Sequence, residues 1–147
     1  MKLDNDLKDN PRHIEYYSGK ARLSAFTPEE VSALLAFRFG VISGQKGLDV
    51  TQILTCRLGS LKAATHMHRL MTSLANMWEG PFMVAPPCSR TVTLDEAIMC
   101  QMLRCAMADN RTQFENVIGP LLASKSMPAT WRLFRNVAES LLDRHKA

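Results

Sequence analysis

At 147 residues the chain has the length of one domain, enough to build a hydrophobic core without disulfide or metal staples. Its 46% hydrophobic and 22% charged residues are ordinary for a globular protein, and seven glycines against many Leu, Ala and Met tilt it toward helix. The net charge of +4 includes no polybasic tract, no apolar run reaches the roughly 18 residues of a membrane span, and the charged amino terminus has no secretory h-region.

With no export signal, the four cysteines at 56, 88, 100 and 105 are expected to be reduced thiols in a cytoplasmic protein. Residues 1–26 mix charge, Pro11 and Gly19 without periodicity. They are expected to form a flexible or loosely docked arm, anchored by Tyr16, Tyr17 and Leu23 where it docks.

Order is expected from Thr27-Pro28-Glu29-Glu30, where Thr27 as N-cap and Glu30 at N3 make a capping box. The helix that follows carries Val31, Leu34, Leu35, Phe37, Phe39, Val41 and Ile42. It is apolar on most sides, with Arg38 the exception, and so is expected to be central. Gly44 or Gly47 ends it in a left-handed conformation. Asp49 caps the next helix with Gln52 at N3, and Leu48 with Ile53 forms the flanking hydrophobic staple. Gly59-Ser60 predicts a kink or a break.

Leu61 to Trp78 reads as an amphipathic helix with Met67, Leu70, Met71, Leu74 and Trp78 on one stripe. Its other face is basic: no acid occurs between Asp49 and Glu79. Lys62, His66 and Arg69 share a side at spacings of four and three. This face is a candidate contact for an anion or a nucleic acid, or else a solvated face paired with acids elsewhere. No aromatic interleaving supports base stacking.

Gly80 to Glu96 is a proline-rich connector. Phe82–Ala85 reads as extended, Pro86-Pro87 forbids helix, and Thr93 with Glu96 makes a second capping box. The helix it opens runs through Ile98, Met102 and Cys105 to about Asp109-Asn110. Asn110 and Gln113 open another, which Gly119-Pro120 kinks or stops. After a turn at Ser124–Met127, Pro128 stands near the start of the last helix. Its apolar face is Leu133, Phe134, Val137, Ala138, Leu141 and Leu142, with Arg144, His145 and Lys146 at its negative end. The fold expected is all-α, an irregular bundle of five or six helices from residue 27 to 147 with a short extended connector.

Cys88 is the candidate thiol. It lies near a helix amino terminus and two residues from Arg90, both of which favour a thiolate, and His66 or His68 would be the base. The alternative is a loop cysteine filling space. His66 and His68 point about 200° apart on a helix and Cys100 and Cys105 are five apart, so no metal site and no cofactor are expected. Met67, Met71, Met77, Met99, Met102 and Met107 fit either adaptable core or a helix–helix dimer interface. A helix-turn-helix with Arg132, Arg135 and Asn136 facing DNA lacks the usual turn glycine, and nucleic acid is the less favoured partner.

Val84-Ala85-Pro86-Pro87-Cys88-Ser89-Arg90 followed by Thr93-Leu94-Asp95-Glu96 resembles a small uncharacterised family of alphaproteobacterial helical proteins, a domain of unknown function. Gly47-Leu48-Asp49, Leu70-Met71 and Gly119-Pro120-Leu121-Leu122 are also similar, so the resemblance spans about residues 28–145. That family has a cysteine pair after the prolines, and here the second position is Ser89, which removes a dithiol or ligand pair. The resemblance implies a bacterial, cytoplasmic setting and no activity. The function expected is non-enzymatic, through protein–protein contact or homodimerisation by a Met/Leu-rich helix face; the alternative is an anion or nucleic-acid binder using Lys62, His66 and Arg69.

Overall fold

The computed structural model describes residues 21–122 and 124–146. Tyr16 and Tyr17, and the side chains of Arg144, His145 and Lys146, lie outside the described residues. The described chain is all-α: α1 Pro28–Gln45, α2 Val50–Leu58, α3 Leu61–Met77, α4 Leu94–Met107, α5 Arg111–Ile118 and α6 Met127–Lys146. Short 3-10 turns occupy Leu23–Ala25 and Ser124–Ser126.

Helices α1 to α5 each begin where a side chain satisfies an orphan amide. Thr27 accepts from the Glu30 N–H while Glu30 accepts from the Thr27 N–H, and Thr93 and Glu96 repeat the arrangement on α4. Asp49, Ser60 and Asn110 cap α2, α3 and α5. The staple is different: Leu48 is 54% exposed, so it adds little burial beside Ile53. Gly59 takes the left-handed conformation at φ 77° and makes a full break between α2 and α3. At Gly119-Pro120 the helix stops, since α5 ends at Ile118.

Helix α1 packs on α2, α2 on α3, and both α3 and α4 on α6. Phe114 of α5 meets Trp131 and Phe134 of α6 with ring centroids 5.1 and 5.4 Å apart, which seats the shortest helix. The methionine stripe is internal: Met67, Met99 and Met102 are buried, and Met71, Met77 and Met107 pack against the core. A dimer interface therefore has to be sought on another face.

Residues 21–26, ahead of Thr27, are docked on the bundle. Ala21 is fully buried, Phe26 nearly so, and Leu23 packs against the core. The Leu23 N–H donates to the Arg90 carbonyl, and the Val92 N–H to the Ala21 carbonyl. An isolated antiparallel bridge joins Arg22 to Thr91.

Candidate functional site

Two arginines tie α1 and α4 together. Glu30 at the start of α1 pairs with Arg104 near the end of α4, and Glu96 at the start of α4 pairs with Arg38 in the middle of α1. The acids are the N3 residues of the two capping boxes, so each serves its own helix and the facing one. Arg38, the exception in an apolar helix, is 1% exposed. Its Nε donates to Glu96 Oε2 at 2.8 Å and its Nη2 to Oε1 at 3.0 Å. The remaining bonds reach the connector carbonyls of Ser89 and Thr91, at 2.8 and 2.9 Å. Glu96 also accepts from the Ala85 N–H. One guanidinium thus fixes a loop that has no ladder of its own.

The connector is fastened at three further points. Phe82 packs its ring on Phe37 and Trp78, at 5.3 and 4.9 Å between centroids. Asp95 accepts from the Met83 N–H, and Thr93 donates to the Met83 carbonyl. Burial raises the Asp95 carboxyl above the ordinary carboxylate value, against the lowering effect of its bonds to Met83 and Trp78. The Phe82–Ala85 segment is not a strand.

Cys88 lies exposed in the turn closed by the Ser89 N–H on the Pro86 carbonyl. Arg90 is exposed, and its backbone carries the Leu23 bond. Neither His66 nor His68 shares a hydrogen bond with Cys88 among the described residues. Cys100 is the opposite case: burial pushes its thiol far up, with Glu30 and Glu96 adding to the effect.

The basic face of α3 gathers as its spacing implies. His66 is held below the usual imidazole value by partial burial first, then by Arg69 and Lys62, while Glu139 of α6 pulls the other way. Lys62 and Arg69 are exposed. On α6, Arg135 is occupied: it donates to the Ala106 carbonyl at the end of α4 and to Glu139. Among the described residues no three His, Cys, Asp or Glu side chains gather to hold a metal, and no helix is long and apolar enough to cross a membrane.

His68, one residue pair along from His66, faces the other way, as the helical turn requires. Its Nδ1 lies 3.1 Å from the Thr51 hydroxyl of α2. Two neighbouring recesses share His68 and Thr72. The first, about 370 Å³, is apolar, walled by α1, α3 and the connector through Phe37, Val41, Met71, Phe82 and Val84. The second, about 570 Å³, is more open; most of its lining residues are polar, with Thr65, Arg69, Ser73 and Asn76 along the outer side of α3, although their apolar atoms make up the larger part of its surface. Sequence reasoning weighed His68 only as a base or ligand. The recess walls come from α1, α2, α3, α6 and the connector, and no local pattern marks their meeting. No protein-family model, curated protein or solved structure matches the chain.

Proposed function

We propose that the protein acts by protein–protein contact rather than by catalysis, and that it pairs with a second copy of itself across the outer side of α1. The observation that carries this reading is the second apolar stripe of that helix. Leu34, Phe37 and Val41 face the core side. Leu35, Phe39 and Ile42, at i, i+4 and i+7, stand on the opposite side and are half-buried. The Arg57 guanidinium of α2 sits 3.6 Å above the Phe39 ring, so the stripe continues onto α2 with a planar cation at its edge. Leu61, at the start of α3, is a further exposed apolar side chain, 63% exposed.

Two such stripes related by a two-fold axis are self-complementary, the commonest geometry of soluble homodimers. Three central side chains per copy bury less than a standard interface, so micromolar association, on the order of −8 kcal/mol, is expected. Light scattering behind size exclusion measures it. A mass that rises to that of a dimer with concentration, and falls back for Phe39→Glu, supports the pairing; a monomer at about 100 μM, far above that range, ends it. We also infer a cytoplasmic setting, where the four cysteines, none of them in a disulfide, stay reduced.

An anion or nucleic-acid contact at Lys62, His66 and Arg69 is the second reading, supported by their clustering on one acid-free helix face. Glu139 opposite His66 counts against it. Retention on a single-stranded DNA column that falls with salt and with Lys62→Ala would favour it; passage through the column at low salt removes it.

A further inference from the structure

The geometry points to a binding site for a small amphipathic carboxylate at the junction of the two recesses on either side of His68. The apolar recess would take the hydrocarbon part and the polar recess the carboxylate. Three observations lead there. The recesses are neighbours, because His68 and Thr72 line both. A molecule of mixed polarity that reaches past His68 would place one part in each. At about 370 Å³ the apolar part lies within the range of small-molecule sites, and its walls are aromatic and aliphatic.

The second observation is charge. No Asp or Glu lines either recess, while Arg69 lines the polar one. A cationic ligand would find no partner there, and a neutral one would leave the guanidinium unused.

The third is the state of the hydroxyls. Thr65 Oγ1 donates to the Leu61 carbonyl at 2.8 Å and Thr72 Oγ1 to the His68 carbonyl at 3.0 Å. Their hydrogens are spent inside the helix, which leaves the Arg69 guanidinium, the Asn76 amide and the Ser73 hydroxyl as donors for a ligand, the guanidinium alone being charged. The His68 ring, its Nδ1 3.1 Å from the Thr51 hydroxyl, stands between the two recesses. A set of donors with one fixed positive charge matches a group that only accepts and carries one negative charge. A carboxylate is that group.

The test uses the full chain, ¹⁵N-labelled, titrated separately with octanoate, 1-octanol and octylamine, which share a tail and differ in the head. Octanoate is expected to move amides of residues 68–76 and 81–84 saturably and to bind about fivefold or more tightly than octanol, a modest gain for a charge-assisted bond at an exposed arginine. Arg69→Gln should bring octanoate down to the level of octanol and leave octanol unchanged. Ala75→Phe, at an exposed position lining the apolar recess, should abolish binding of both. Equal affinities for the acid and the alcohol, shifts confined to other residues, or no saturation by about 10 mM, the weak limit of useful affinity, would each overturn the site. So would octanoate binding that survives Ala75→Phe in a folded variant. Were Ala75→Phe to fail to fold, the Arg69→Gln comparison decides alone.

Discussion

Glu96→Gln tests the network that holds the connector. The side chain keeps its shape and loses its charge, which leaves the Arg38 guanidinium, 1% exposed, facing an amide that offers one oxygen and an NH₂. Breaking one side of a buried ion pair costs about 3–5 kcal/mol, because the remaining charge stays buried without compensation. The Ser89 and Thr91 carbonyls still solvate Arg38 in part, which places the expectation at the lower end. Domains of this size have about 5–15 kcal/mol in total, so the variant should fold but melt roughly 10 °C lower. Urea denaturation gives the free energy, and limited trypsin digestion adds a local readout. Arg90 is exposed beside the two anchored carbonyls, so cleavage after it should accelerate in the variant. Arg104→Met is the internal comparison. The arginine side chain is 32% exposed, but the Glu30 carboxylate it leaves behind is 1% exposed, so by the same reasoning its loss should be comparable, on the order of 3 kcal/mol. A Glu96→Gln loss below about 1 kcal/mol, the value of a surface pair, would refute the reasoning.

His66 carries a pH prediction. Its folded-state pKa lies below the unfolded value, so the unfolded chain takes the proton first as pH falls below about 6.5. Stability is therefore full above that pH and is lost on the way down through the folded value. Melting curves near pH 7.5 and pH 5.5 should show a smaller drop for His66→Gln than for the parent, and an equal drop would contradict the assignment. The thiols should separate into two classes on alkylation: exposed Cys56 and Cys88 fast, buried Cys100 and Cys105 slow until the protein is unfolded. A special reactivity at Cys88 requires it to label faster than Cys56, and equal rates reduce it to a loop thiol.

Much of the secondary structure was legible because caps are local. Thr27, Asp49, Thr93 and Asn110 each sit three residues before the amide they accept from, within one turn of chain. Gly59 and Gly119-Pro120 act through their own backbone geometry, which is also local. Ser60 was readable only as part of a weak point, although its hydroxyl caps α3. The docking of residues 21–23 was not legible, since they are held by backbone bonds to residues 90–92, far along the sequence. The basic face of α3 was readable from helical spacing, but Glu139 opposite His66 comes from another helix.

The same division holds for the connector and its surroundings. The sequence by itself determined that Gly80 to Glu96 must leave one helix, cross without helix and begin another, because proline chemistry and a capping box are written in consecutive residues. It also determined an all-α chain through helical periodicity. Only the tertiary structure decided what Arg38 and Glu96 are for. Each looks like a lone charge or a cap in sequence, and 58 residues separate the pair that meets at 2.8 Å. It also decided that the methionines face inward, that Leu35, Phe39 and Ile42 face outward, and that His68 stands between an apolar and a polar recess. The physical reason is common to all of these. Caps and turns are satisfied within a few residues, whereas a buried charge or a recess depends on whichever segments the packing brings together.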